Sequence, residues 1–172
     1  QFDHLGRLWM GGHCGYTLMD KNGKLTQVKL PVRKNLFDVW YLFEDSKKRM
    51  WIGTFQGGLF MYDGQIHEMD KELGLEDETF LAITEDRFGN IWLGNLRGVD
   101  IWDGKKIRHL DESSGLASDL VYVIGPDKDP DQMWVGTNQG MNKINIKVLF
   151  EENKIESIQS SRCFSVVTVI WI

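Results

Sequence analysis

One tryptophan recurs along the chain at a nearly constant interval, and each copy opens the same triplet of Trp, an aliphatic residue and Gly. The four copies are 42, 41 and 42 residues apart. The triplets are Trp9-Met10-Gly11, Trp51-Ile52-Gly53, Trp92-Leu93-Gly94 and Trp134-Val135-Gly136. A period in the low forties is the length of one four-stranded propeller blade, so the repeat predicts an all-β propeller.

Turn residues flank the tryptophan strand. Six residues before the Trp stands Asp3, Asp45 or Asp86, and a second turn such as Asp63-Gly64 follows it. Asp-Gly between apolar segments is typical of a β-hairpin. The fourth copy departs from the pattern, because its first turn, over residues 125–131, keeps turn residues in a different register.

Both faces of the tryptophan strand are apolar. Leu8, Met50, Ile91 and Met133 share a face with the aliphatic residue after the Trp, while the Trp and its Gly point the other way. A strand that is apolar on both faces belongs to a sheet packed between two neighbours. We therefore predict one domain or half-propeller over residues 1–172, with four blades of four antiparallel strands and each Trp largely buried.

One segment also resembles a known family. Residues Glu85 to Gly94, followed by Gly98-Val99 and Trp102-Asp103-Gly104, resemble the two-component regulator propeller repeat. The resemblance extends over residues 1 to about 146 and includes the linker Gly74-Leu75-Glu76-Asp77. It implies the input module of a bacterial hybrid histidine kinase or related regulator. It further implies a periplasmic or extracytoplasmic sensor of carbohydrate fragments. We expect no cofactor.

Charge and hydropathy limit the possible partners. The chain has 25 acidic and 20 basic residues, a net charge of −5, and no stripe of Lys and Arg to bind phosphates. It also contains no run of eighteen apolar residues. We therefore expect neither nucleic acid binding nor contact with a membrane.

No catalytic motif is evident, so the sequence predicts a protein that is not an enzyme. The pairs Glu44-Asp45 and Glu85-Asp86 recur at a turn, which favours a structural role over a catalytic one. His67 and His109 occupy matching strands, which favours inheritance through the repeat over a metal site. Two alternatives stay open: a propeller lyase similar to the streptogramin lyases, and a purely structural fragment.

Candidate ligand-binding residues come from loops and exposed aromatic positions. Exposed aromatic rings suit the faces of sugars, and Arg suits their carboxylates or sulfates. The candidates are Phe55, Gln56, Arg97, Asn138, Trp40 and Tyr41. For Trp40 and Tyr41, burial between blades is the favoured interpretation.

The C-terminal segment 160–172 is predicted to act as a closing strand. It contains the apolar, β-branched run Phe164 to Trp171, and the first blade lacks a strand before its acidic turn. Pairing with Leu8 to Gly12 completes that blade, and exchange between two chains gives an eight-bladed homodimer. The same pairing brings Cys163 near Cys14, which leaves a disulfide open as an alternative.

We expect removal of residues 160–172 to expose a strand edge and cause unfolding or aggregation. Thermal melts and light scattering of the shortened chain check this expectation. A shortened chain with the same melting temperature and oligomeric state contradicts the closing role.

Overall fold

The computed structural model describes residues 1–13, 15–31, 37–152 and 155. The strands of these residues form four antiparallel sheets in chain order. Sheet I contains β1 (Leu8–Gly12), β2 (Gly15–Met19) and β3 (Leu25–Lys29). Sheet II contains β4 (Asp38–Glu44), β5 (Met50–Phe55), β6 (Leu59–Tyr62) and β7 (Ile66–Glu68).

Sheets III and IV continue the same order. Sheet III contains β8 (Phe80–Glu85), β9 (Ile91–Asn95), β10 (Val99–Trp102) and β11 (Ile107–Leu110). Sheet IV contains β12 (Val121–Pro126), β13 (Gln132–Thr137) and β14 (Gly140–Asn145). The helical elements are α1 (Met69–Leu73), a short 3-10 turn (Glu112–Ser114) and α2 (Ile146–Glu152).

The all-β class and the antiparallel sheets are confirmed, but the prediction of four strands is wrong for sheet IV, and for sheet I it is untested because the segment expected to supply the fourth strand lies outside the described residues. Sheets II and III have four strands, whereas sheets I and IV have three. In sheet IV the chain turns into α2 after Asn145, because Ile146 and Leu149 are spaced to share one helical face. That face is buried in the same cluster as Trp92 of sheet III. The segment 160–172, Cys14 and Cys163 lie outside the described residues.

Successive sheets pack face to face, and the Trp of one sheet packs against the next sheet. Trp9 shares a buried cluster with Met50 and Ile52, which lie on the opposite face of β5 from Trp51. The interfaces from sheet II to III and from III to IV repeat this arrangement around Trp51 and Trp92. These three tryptophans are at most 1% exposed.

The Gly two residues after each Trp permits this close packing. A Cβ atom at Gly11 would lie 2.7 Å from the Val39 side chain, and one at Gly53 would lie 2.8 Å from the Phe80 carbonyl oxygen. Both neighbours belong to the first strand of the following sheet. Gly94 meets Val121 of sheet IV in the same way, whereas Gly136 meets Val123 of its own sheet.

Trp134 differs from the prediction that every repeated Trp is largely buried. Its side chain is only half-buried, because no described sheet follows sheet IV. The Lys143 ammonium lies 5.3 Å from the centre of its ring, where it partly shields the indole.

A hydrogen bond between the turn aspartate and the Trp indole recurs in every sheet. The Trp Nε1–H donates to an Asp Oδ2 at 2.8 Å in sheets I and II, 2.9 Å in sheet III and 2.5 Å in sheet IV. The other carboxylate oxygen accepts backbone N–H groups of the same turn. In sheet II, for example, Asp45 Oδ1 accepts the backbone N–H of Arg49. The carboxylate therefore fixes both the turn and the indole.

The acidic residue before this aspartate joins neighbouring sheets. Glu44 accepts the backbone N–H of His4 at 2.9 Å, and Glu85 accepts the N–H and the hydroxyl of Ser46 at 2.7 Å each. In both cases the donor lies in the turn of the preceding sheet. Between sheets III and IV an ion pair replaces this hydrogen bond, because Arg87 in the turn of sheet III contacts Asp131 in the turn of sheet IV at 2.8 Å. The paired carboxylates thus have a structural role.

We expect Trp92→Ala to lower the free energy of unfolding by about 3–5 kcal/mol, as for other buried aromatic side chains. Trp134→Ala should cost less, because part of its ring already faces solvent. Denaturant melts of both variants check the difference. Equal losses, or a loss below about 1 kcal/mol for Trp92→Ala, contradict the packing described above.

Acid should weaken the turn of sheet IV. Hydrogen bonds from the backbone of Asp129, from Lys143 and from Trp134 lower the pKa of the Asp127 carboxyl from 3.8 to about 2. Because folding lowers this pKa, the charged Asp127 carboxylate stabilises the folded state above about pH 4, and this stabilisation is lost as the pH falls towards 2. Denaturation midpoints of the wild type should therefore fall over this range more steeply than those of Asp127→Asn. Asp20→Asn, in an exposed turn, serves as the control, and identical pH profiles for all three proteins contradict the expectation.

Candidate functional site

The linker between sheets II and III and the outer strands of sheet III enclose a cavity of about 310 Å³. Its walls combine three apolar residues with a set of polar and charged ones. The lining residues are Leu73, Gly74, Leu75, Glu76, Asp77, Asn95, Arg97, Asp100, Ile107 and His109. A volume near 300 Å³ lies at the lower end of the range for small-molecule sites.

Asp100 organises the polar side of the cavity. It is 7% exposed, and its two carboxylate oxygens bind Asn95 Nδ2 and His109 Nδ1, each at 2.7 Å. Because a carboxylate only accepts hydrogen bonds, His109 carries a proton on Nδ1. In the neutral form of the imidazole, Nε2 is then a hydrogen-bond acceptor, on a side chain that is 44% exposed.

The charged residues at the rim are paired with each other. Arg97 Nη1 lies 2.5 Å from Glu76 Oε2, and both side chains are exposed. Asp77 accepts the backbone N–H of Leu96 at 3.2 Å, which ties the linker to the loop between β9 and β10. Asn95 accepts the backbone N–H of Arg97 at 2.9 Å and so fixes the same loop.

The position of Asp100 is occupied by an asparagine in sheet IV, where it has a different role. Asn142 pairs with Val135 just as Asp100 pairs with Leu93, so the two residues are equivalent. The Asn142 amide accepts the N–H of Ala117 at 2.8 Å and donates to the carbonyl of Gly115 at 2.9 Å. In sheet IV this side chain therefore binds the linker, whereas in sheet III Asp100 binds His109 and Asn95.

The strand registers separate the two histidines that the sequence placed in matching strands. His67 of β7 pairs with Met61 of β6. His109 of β11 pairs with Asp100 of β10, and Asp100 lies one residue before the position in β10 that corresponds to Met61. The two side chains therefore point to opposite faces of their sheets. Inheritance through the repeat does not account for His109, and the interpretation of the two histidines as a repeated pair is wrong.

Two of the predicted ligand-binding residues form an exposed aromatic pair outside the cavity. Trp40 is 61% exposed, and its ring centre lies 6.2 Å from that of Phe55. The expectation that Trp40 is buried between blades is wrong, because a bulge in β4 between Val39 and Tyr41 turns it outward. Tyr41 is half-buried, and burial raises the pKa of its hydroxyl.

The other predicted residues lie in the loops after the tryptophan strands. Gln56 donates its backbone N–H to Thr79 Oγ1 at 3.1 Å, and Asn138 donates its own to the Leu120 carbonyl at 3.1 Å. Of the six candidates, Arg97 is the one that lines the cavity described above. Its contact with a ligand remains a prediction, as do those of the other five.

Asn95, Asp100 and His109 were not among the site residues predicted from the sequence. A signal was present, because Asp100 interrupts the otherwise apolar strand from Val99 to Trp102. A buried acid in such a strand needs hydrogen-bond partners, and buried acids mark candidate sites.

Within the residues described by the structure, no group of three or more His, Cys, Asp or Glu side chains is placed to hold a metal ion. No helix in this part of the chain is long and apolar enough to cross a membrane.

The family profile described as "Two component regulator propeller" matches residues 36–56 and 74–97. The extracellular domain of a protein described as a hybrid two component system of B. thetaiotaomicron is similar in structure, with a TM-score of 0.76 and 25% sequence identity. The match covers 94% of this chain and 22% of that domain, so the chain spans about a fifth of the length of that extracellular domain. No curated protein sequence matches the chain significantly.

Virginiamycin B lyase from Staphylococcus aureus is also similar, with a TM-score of 0.68 and 19% identity over 98% of this chain and 55% of the lyase. A variant of that lyase in which one histidine is replaced by alanine is catalytically inactive. At this level of identity the likeness shows the propeller fold alone.

Proposed function

We propose that this chain, which matches the two-component regulator propeller profile, is a non-catalytic ligand-sensing module of a bacterial signalling protein. The cavity on sheet III is its ligand-binding site. The observation that carries the proposal is the Asn95, Asp100 and His109 network, which places a histidine acceptor in a cavity of about 310 Å³. The similarity of the chain to the extracellular domain of a hybrid two component system supports a periplasmic or other extracytoplasmic location.

The chemistry of the cavity favours a neutral carbohydrate fragment. Arg97 is paired with Glu76, whereas with a neutral His109 the carboxylates of Asp77 and Asp100 have no cation among the lining residues. The lining is then net negative, which disfavours anionic sugars, and it offers many hydrogen-bond donors and acceptors to a neutral one. Sugar hydroxyl groups can both donate to and accept from these side chains, while Leu75 and the other apolar lining residues suit the carbon-bound faces of a sugar ring.

A second function, elimination on a cyclic ester, has one observation in its favour. The hydrogen bond from His109 Nδ1 to Asp100 holds the imidazole with a free Nε2, as a general base requires. The fold similarity to virginiamycin B lyase, which shares 19% identity, makes such a reaction worth testing.

We expect the wild-type chain to bind one or more neutral mono- or disaccharides in isothermal titration calorimetry with a panel of such sugars. His109→Ala should weaken binding about tenfold or more, because one hydrogen bond to the ligand is lost. Arg97→Ala should weaken binding less, because Arg97 is engaged by Glu76. His67→Ala is the matched control, since His67 lies outside the cavity and should leave the affinity unchanged.

The same samples separate the alternatives. Binding by the wild type that is equal in His109→Ala and His67→Ala contradicts the assignment of the cavity. Absence of binding to every sugar leaves the structural fragment as the better description. Magnesium-dependent opening of a lactone-type substrate that disappears in His109→Ala supports the lyase and overturns the non-catalytic proposal.

A further inference from the structure

The face of sheet IV that carries Trp134 is exposed and largely apolar, and its charged residue, Lys143, lies over the Trp134 ring and pairs with Asp127 at 3.1 Å. Val123 is 49% exposed and Met141 is 39% exposed, and both lie on this face beside Gly136. The equivalents of Met141 in sheets II and III are Leu59 and Val99, each 0% exposed. Apart from Lys143, which stands where sheets II and III have the buried Met61 and Ile101, sheet IV therefore presents, uncovered by any described residue, the surface that is buried in those sheets.

Sheet I presents the complementary surface. Leu8 and Met10 lie on the face of β1 opposite to Trp9, and both are half-buried. Leu25, on the same face, is 61% exposed. The equivalents of Leu8 and Met10 in sheet II are Met50 and Ile52, which are at most 2% exposed. Because both terminal faces are exposed, sheets IV and I of one chain do not cover each other.

The three internal interfaces show which surfaces fit together. In each of them the Trp face of one sheet receives the opposite face of the next sheet. An aromatic side chain of the following sheet contacts the Trp in two of them, since the Tyr62 ring lies 5.3 Å from Trp9 and the Trp102 ring lies 5.6 Å from Trp51. Met19 occupies the equivalent position in sheet I. A Met thioether also packs well on an indole.

We propose that the Trp134 face of sheet IV binds the Met10 face of sheet I in a second copy of this chain. The contact continues the interface that the chain repeats three times internally, with Met19 placed against Trp134 of the partner copy and Lys143 kept beside the ring, as Arg49 lies beside Trp51 and Trp102 in the interface of sheets II and III. It is head to tail, so it forms a closed assembly only if the rotation between copies completes a ring. Propellers have four to eight blades, and the four described sheets of each of two copies give eight.

The first experiment measures molar mass by light scattering over a range of concentrations of the full 19.9 kDa chain. The wild type should be a dimer. Met141→Lys in sheet IV and Met10→Asp in sheet I should each give a folded monomer. Phe88→Asp is the matched control, because Phe88 is 52% exposed in a turn outside both faces, and it should stay dimeric.

A mixing experiment identifies the geometry. In a head-to-tail pair, one Met141→Lys chain and one Met10→Asp chain still share one interface made of two unaltered faces. Their second interface brings the new Lys near the new Asp. Mixing the two monomeric variants should therefore restore a dimer that contains one copy of each, as native mass spectrometry would show.

Other outcomes overturn the proposal. A wild type that is monomeric at every concentration shows that a second copy does not cover these faces. A dimer that persists in both variants places its interface elsewhere. Monomers that stay apart on mixing contradict the head-to-tail contact, because in it the mixed pair keeps one unaltered interface. If Met10→Asp loses its circular dichroism spectrum, Leu25→Asp takes its place, since that exposed side chain lies on the same face.

Discussion

The hydrogen bond from the Trp indole to the turn aspartate is the interaction on which the rest of the structure depends. A Trp between two sheets buries a large apolar surface, but its N–H must also be satisfied. Asp45 does this for Trp51 while its other oxygen holds the turn that joins two strands. One carboxylate therefore couples the local hairpin to the packing between sheets. The preceding glutamate extends this coupling to the neighbouring turn, as Glu85 does with Ser46.

The candidate site arises where one sheet departs from this repeated scheme. The position of Asp100 is Phe60 in sheet II and Asn142 in sheet IV, both of them buried. In sheet III an acid at this position binds His109 and Asn95, and a cavity lies between these residues and the linker. The proposed site thus lies where polar residues interrupt the apolar pattern of the repeat, while the interfaces between neighbouring sheets supply the stability.

The interval between tryptophans was enough to predict the fold class, the order of the sheets and their antiparallel pairing, because each repeat carries its own turn and packing signals. Strand register was not predictable at the same level. A shift of one residue separates His67 from His109, and a bulge turns Trp40 outward, and neither is marked by composition. Trp134 was expected to be buried because its local sequence matches the other copies. Its exposure depends instead on whether another sheet packs against sheet IV, and no local pattern encodes that contact.

The carboxylate and the indole act as a unit, and a double-mutant cycle tests this coupling most directly. Asp86→Asn, Trp92→Phe and the double variant would be compared with the wild type in denaturant melts at pH 7. We expect a coupling energy of about 1–3 kcal/mol, because the hydrogen bond is buried and its acceptor is charged. Additive losses, with a coupling near zero, would show that the aspartate fixes only its turn and that the indole is held by packing alone.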